Sequence, residues 1–83
     1  MKGLELLVIG GLYEGWKKTA PKIIRPMEDV VNLGGDKRQI MLAVHIGLAK
    51  REARGHKDGK WMMPQLDMIA DYLIHMRDSK VAE

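Results

Sequence analysis

The sequence predicts an all-α fold, a small domain of three or four helices around a central apolar helix. The 83 residues are enough for a single domain, 1–83, and too few for two. Apolar residues recur at spacings of three and four in several segments, which is typical of helices. The chain contains no cysteine, so an apolar core rather than disulfide bonds must hold these helices together.

The first predicted helix covers residues 4–18. Its apolar residues on one side are Leu4, Leu7, Val8, Leu12 and Trp16. This side is expected to face the core. The run at 4–9 alone is too short for periodicity to separate a helix from a buried strand, and the helix is the favoured interpretation. Gly10, Gly11 and Gly15 weaken the helix, but they also allow a second helix to pack closely.

A short second helix is predicted from Pro26 to Leu33. Proline is favoured at the first helical position, and the acidic residues Glu28 and Asp29 follow it in the first turn. The segment 19–25 is expected to be a connector, because a residue that precedes proline avoids the helical conformation. The two glycines after Leu33 are expected to end the helix.

The central helix is predicted at 37–54. Asp36 is a suitable N-cap, and Gln39 three residues later completes a capping box. Between residues 40–49 the only polar side chain is that of His45, which predicts a helix buried on most sides. His45 itself is expected to be partly buried and hydrogen-bonded.

The last predicted helix runs from Pro64 to about Asp78, with apolar residues on one side and aspartates on the other. A loop precedes this helix, and its Asp58-Gly59 dipeptide is typical of tight turns. A short hairpin-like structure at 54–62 is therefore a further expectation for this part of the chain.

Positive charge is concentrated in the middle of the sequence. The 14 basic and 11 acidic residues give a net charge of +3. Residues 17–60 hold eleven of the basic residues and five of the acidic ones, whereas both ends of the chain are net negative. A region of this kind attracts nucleic acid, acidic protein surfaces and anionic lipid headgroups.

The candidate binding site is the basic segment at the end of the central helix, together with the loop after it. Its residues are Lys50, Arg51, Arg54, Lys57, Lys60 and Trp61. The five basic side chains are suited to neutralise phosphates, and the tryptophan is suited to stack on an unpaired base. The leading hypothesis is therefore a small regulatory or accessory protein that binds nucleic acid or a complex that handles nucleic acid.

A protein-interaction module, such as an adaptor, an inhibitor or a small structural subunit, is the alternative hypothesis. The chain has 7 methionines, and methionine adapts well to irregular surfaces. Met62 and Met63 are candidate interface residues, although filling of the core explains them equally well. Met68 and Met76 are expected in the core. A core this small has little stability to spare, which also favours a homodimer.

Nothing in the sequence predicts an enzyme, a cofactor or a metal site. Thr19 and Ser79 are the only threonine and serine, so a hydroxyl-based catalytic triad is nearly excluded. The three histidines, His45, His56 and His75, lack the spacing of four that places two metal ligands on one helix face. The apolar run near the N-terminus is too short to span a membrane and lacks a cleavage site, which predicts a cytoplasmic protein.

Overall fold

The computed structural model describes residues 3–82 and contains four helices in that range. They are α1 (Gly3–Thr19), α2 (Pro21–Asn32), α3 (Lys37–Ala53) and α4 (Gly59–Ala82). Helices α2 and α4 contact each other and both remaining helices, whereas α1 and α3 flank this pair without touching each other. The described residues contain no strand, so the predicted all-α fold is confirmed. No helix within this range has the length and apolarity to cross a membrane.

All four helices contribute to a single apolar core. Its buried side chains are those of Ile9, Ala20, Ile23, Ile24, Met27, Val31, Ile40, Val44, Met62, Leu66, Ile69 and Ala70. Helix α2 alone supplies four large ones, because three neighbouring helices cover it. Methionine fills positions in this core that phenylalanine commonly occupies, since the chain has no phenylalanine.

Helix α3 is less buried than its apolar sequence predicts. Only Ile40 and Val44 are fully covered, while Leu42 and Ile46 keep 56% and 58% of their surface exposed. The physical reason is geometric, because α2 and α4 pack on one side of α3 and no helix remains to cover the other side. A Cβ atom on Gly47 would lie 3.1 Å from the Ile23 side chain, so this glycine sets the close approach of α3 to α2.

Helix α2 begins five residues earlier than predicted. The expected connector at 19–25 is wrong, because Pro21 occupies the first helical position and Ala20 is the N-cap. The Ala20 carbonyl accepts the backbone N–H groups of Ile23 and Ile24. Pro26 then lies inside the helix, where its missing N–H removes one hydrogen bond near the N-terminal end.

A tight turn with a glycine of positive φ joins α2 to α3. Gly34 has φ +84°, and its N–H donates to the Val31 carbonyl while the Gly35 N–H donates to the Val30 carbonyl. This pair of bonds is the Schellman arrangement that ends a helix. Asp36 then caps α3 through the predicted capping box with Gln39.

The hairpin-like structure expected at 54–62 is wrong, because this segment ends one helix and starts another. Gly55, at φ +93°, closes α3 with a second Schellman turn. The Asp58 carbonyl accepts the N–H groups of Trp61 and Met62, so the Asp58-Gly59 pair opens α4. Pro64 lies within the first two turns of α4, where proline costs less than in the middle of a helix.

Helix α1 is helical as favoured, but it turns a different side to the core than predicted. Ile9 is buried, and Leu12 and Trp16 pack against the core, whereas the Leu4, Leu7 and Val8 side chains point to solvent. Two hydrogen bonds and the close approach at one glycine fix the rotation of α1 about its own axis.

These three contacts attach α1 to its neighbours. The Tyr13 hydroxyl donates to the Glu28 carboxylate on α2, and the Trp16 Nε1–H donates to the Gln65 Oε1 atom on α4 at 2.5 Å. A Cβ atom on Gly10 would lie 3.3 Å from the Tyr72 hydroxyl, so Gly10 allows α1 to pack against α4. Burial and the bond to Glu28 both raise the pKa of the Tyr13 phenol, which therefore stays protonated and remains a donor.

Candidate functional site

Two adjoining cavities lie around the loop that joins α3 to α4. The larger, of about 910 Å³, separates the C-terminal half of α3 from the start of α4. The smaller, of about 290 Å³, lies at the start of α2. Arg51 and His56 line both cavities, so the two form one continuous surface.

The fold arranges the basic residues predicted from sequence around these cavities. Lys57 and Lys60 line the larger cavity, and Arg54 lines the smaller one. Lys50 is exposed and lies one helical turn before Arg54, on the same side of α3. The structure also brings Lys22, at the start of α2, into the smaller cavity. We call Lys22, Lys50, Arg54, Lys57 and Lys60 the basic surface.

The sequence offers Lys17, Lys18, Lys22 and Arg25 as extensions of the basic segment only if folding brings them alongside it, and of these four Lys22 alone lines either cavity. Lys22 lies 32 positions before Arg54, and only the packing of α2 on α3 brings the two residues to the same cavity. The residue in the sequence that indicates the place of Lys22 is Pro21. A proline there marks the start of a helix, and the start of α2 lies beside the end of α3.

Arg51 differs from the other basic residues because it has an intramolecular partner. Its Nε and Nη2 atoms donate to the two carboxylate oxygens of Asp58, at 2.9 and 2.7 Å. Through this hydrogen-bonded pair, Asp58 raises the pKa of Arg51, and Arg51 lowers the pKa of Asp58. The bidentate contact ties the last turn of α3 to the start of α4, so Arg51 positions the loop that carries Lys57.

The basic surface carries charge that the described residues do not neutralise. None of its five side chains forms an ion pair within the part of the chain that the structure describes. Other basic side chains are engaged elsewhere: Lys17 pairs with Glu28 at 3.6 Å, and Lys37 pairs with Asp71 at 2.8 Å. Lys18, Arg25 and Arg38 also form no ion pair among the described residues, so the basic surface holds five of the eight unpaired basic residues of segment 17–60.

Two helix N-termini add to this positive potential. Pro21 and Ala20, at the start of α2, line the smaller cavity, and no side chain caps that helix among the described residues. Gly59, at the start of α4, lines the larger cavity. Helix N-termini carry partial positive charge, which favours anions such as phosphate.

Trp61 lies in the first turn of α4, next to Lys60, and 77% of its surface is exposed. An indole ring this exposed contributes little to the core, so it is accessible to a partner. Trp16 behaves differently, because it packs against the core and donates a hydrogen bond to Gln65.

The two methionines next to Trp61 differ in accessibility. Met62 has no exposed surface, so its assignment to a protein interface is wrong and it belongs to the core. Met63 is partly buried against the core and lines the larger cavity. Met68 and Met76, expected in the core, are instead partly exposed, because the part of α4 that faces away from the other helices has no cover.

Two of the three histidines line the larger cavity, whereas His75 on α4 does not. His45, expected to be partly buried, is exposed and lines the larger cavity with His56, because the α3 side on which it lies is uncovered. No group of three or more potential metal ligands occurs among the described residues.

Searches against protein-family models, curated proteins and solved structures find no match for this chain.

Proposed function

We propose that this protein is a non-enzymatic regulatory or accessory protein that binds nucleic acid, or a complex that handles it, through the basic surface. One observation carries the proposal. Four basic side chains without ion pairs among the described residues line two adjoining cavities, at which two helix N-termini also lie, and a fifth, that of Lys50, is exposed one helical turn before Arg54. Such charge has an electrostatic cost within a small domain unless a polyanion neutralises it.

In the proposed complex the phosphate backbone follows the basic surface. Lys22 and Arg54 each neutralise one phosphate near the start of α2, and Lys57 and Lys60 contact the next part of the backbone. The exposed indole of Trp61 stacks on an unpaired base, which favours single-stranded over double-stranded nucleic acid. Arg51 keeps the loop in place through Asp58 rather than contacting phosphate.

The test is a salt titration of binding to short single- and double-stranded DNA and RNA. The double variant Lys22→Ala/Arg54→Ala should bind more weakly. The slope of log K against log salt is negative, and its magnitude should decrease by roughly 1.5 because two phosphate contacts are lost. The matched control is Arg25→Ala/Arg38→Ala. It removes two exposed charges from the same two helices at positions outside both cavities.

Equal effects of the two double variants would show that binding responds only to net charge. Absence of binding at low salt would refute the proposal.

Trp61→Leu adds a separate readout. It should weaken single-stranded binding by about 1–3 kcal/mol and leave double-stranded binding nearly unchanged. An acidic protein as the true partner of the basic surface would show the same salt dependence, but without measurable affinity for oligonucleotides.

The alternative, a protein-interaction module, is favoured by the exposed apolar side chains of α4. Trp61 and Met68 are nearly two helical turns apart and are both exposed, and Met63 lines the larger cavity. Binding through these groups should respond weakly to salt and should weaken in Met63→Asp. Met62→Asp is unsuitable for this test because a carboxylate at that buried position would disrupt the core.

A further inference from the structure

One side of α1 has no partner in the described structure, although it is apolar. Leu4, Leu7 and Val8 keep 79%, 75% and 65% of their surface exposed. Helical spacing places Gly11 and Gly15 on the same side, followed by Lys18. We call these six residues the outer face of α1. Single exposed apolar residues are common on proteins, but a contiguous group of this kind marks an interaction site.

The glycines of the outer face serve no packing purpose within the chain. A Cβ atom on Gly11 or Gly15 would have no heavy atom within 4 Å, whereas one on Gly10 would press against Tyr72. Glycine in the middle of a helix is unfavourable relative to alanine, and nothing in the described fold compensates for that at these two positions. The close approach of a second helix supplies such compensation.

The charges at the two ends of α1 favour an antiparallel orientation of that second helix. Glu5 lies in the first turn and Lys17 and Lys18 lie in the last turn. A second copy of α1 packed in parallel would place like charges together. An antiparallel copy places Glu5 beside the partner's Lys18 and also opposes the two helix dipoles.

The distribution of side-chain size agrees with the same direction. The bulky residues of the outer face lie in the N-terminal half, and both glycines lie at its middle and in the C-terminal half. In an antiparallel pair, the leucines of one protomer pack over the glycine-containing half of its partner. A parallel pair would place leucine against leucine and leave a gap at the glycines.

We propose that the protein forms a two-fold symmetric homodimer through the outer face of α1, with the two helices antiparallel and crossing at Gly11. The same surface is used on both protomers, so the assembly closes at two copies. The outer face has six residues, whereas a standard interface has about 20–30 residues on each side, so we expect weak and reversible association, with a Kd in the micromolar range or above. This proposal is independent of nucleic-acid binding.

Analytical ultracentrifugation in the absence of nucleic acid tests the interface. The wild-type chain should show a concentration-dependent monomer–dimer equilibrium. Leu7→Glu should weaken it at least tenfold, because the new carboxylate would be desolvated at the contact. Leu42→Glu is the matched control, since it places the same charge on an exposed leucine of a different helix, α3. A wild-type monomer at every concentration, or a dimer that Leu42→Glu disrupts and Leu7→Glu does not, overturns the proposal.

Cysteine cross-linking tests the direction of the helices, because the native chain contains no cysteine. Gly11→Cys should form a disulfide-linked dimer. Leu4→Cys and Lys18→Cys lie seven residues on either side of Gly11, so each should fail to cross-link alone, and a mixture of the two should cross-link. Efficient cross-linking of Leu4→Cys with itself would indicate parallel helices, and no cross-linking of Gly11→Cys would place the contact elsewhere. Either result overturns the proposed geometry.

Discussion

The ion pair between Arg51 and Asp58 holds the α3–α4 loop, which carries part of the candidate site, in place. Both residues lie in the basic segment, and by sequence alone Arg51 is one more phosphate ligand. In the structure two hydrogen bonds join its guanidinium group to the Asp58 carboxylate. The same Asp58 accepts the first backbone hydrogen bonds of α4 through its carbonyl. One residue therefore starts a helix and anchors the end of the previous one.

This contact makes stability depend on pH. The hydrogen bond from Arg51 lowers the pKa of Asp58 in the folded state, so its contribution to stability is complete above the unfolded value, about 3.9. The contribution is lost as the pH falls through the folded pKa. Asp58→Asn should therefore lower the midpoint temperature of unfolding at neutral pH, and the difference from wild type should shrink in acid.

Thermal unfolding followed by circular dichroism between neutral and acidic pH measures this dependence. Asp29→Asn, at an exposed position on α2, is the control for removal of one carboxylate. If the midpoint temperature of Asp58→Asn stays below that of wild type by a constant amount from neutral to strongly acidic pH, the role given to the ion pair is contradicted.

At the scale of the elements, helix ends determine how the four helices are placed. Both Schellman turns stop a helix at a glycine of positive φ, and the capping box starts α3. The end of α2 receives additional support from α4. The Arg77 Nη1 atom donates to the carbonyl oxygens of Val31 at 3.1 Å and Gly35 at 2.8 Å. A cation at this position also complements the negative end of the α2 dipole.

Arg77→Gln should remove these two bonds and lower the free energy of unfolding by about 1–2 kcal/mol, because hydrogen bonds to charged groups are stronger than neutral ones. Urea denaturation measures the change, and an unchanged m-value shows that the comparison is valid. Arg38→Gln, an exposed substitution at the start of α3, should change stability by less than about 0.5 kcal/mol. Equal losses in the two variants would refute the capping role of Arg77.

At the scale of the whole molecule, one core serves all four helices. The chain measures 43 × 26 × 18 Å, and each helix contributes at least one buried apolar side chain to the same cluster. Each helix packs against at least two of the others, so loss of any one uncovers apolar side chains of its neighbours. Unfolding is therefore expected to be a single cooperative transition.

Val44→Asp should abolish folding, because Val44 has no exposed surface and the cost of an unpaired buried carboxylate is comparable with the total stability of a small domain, about 5–15 kcal/mol. Far-UV circular dichroism should lose the signal of all four helices together. Ile46→Asp changes the same helix at an exposed position and should leave the helical signal intact. A folded Val44→Asp variant, or partial loss of helix, would contradict the single core.

The two proposed surfaces occupy different parts of the molecule. The basic surface lies around the α3–α4 loop and the start of α2, while the outer face of α1 is directed away from the other helices. A variant that affects one surface is therefore expected to leave the other intact. Leu7→Glu and Lys22→Ala/Arg54→Ala test the two proposals separately for this reason.

Local signals in the sequence determined the secondary structure. The absence of cysteine, the helical spacing of apolar residues and the capping box at Asp36 are sufficient to predict an all-α domain and the start of α3. The basic segment at 50–60 could also be located, because charge is a property of composition. The starts of α2 and α4 could not be predicted, since Pro21 and the Asp58-Gly59 pair are each compatible with a turn as well as with the start of a helix.

Only the tertiary structure decided which side of each helix is covered. Apolar residues on α1 and α3 occur on more than one side, so periodicity could not show that Leu4, Leu7, Leu42 and Ile46 remain exposed. The position of Lys22 beside Arg54, and the pairing of Arg51 with Asp58, also depend on packing between segments. Burial and ion pairing are decided by contacts between residues distant in the chain, and a short chain offers too few helices to cover every apolar side.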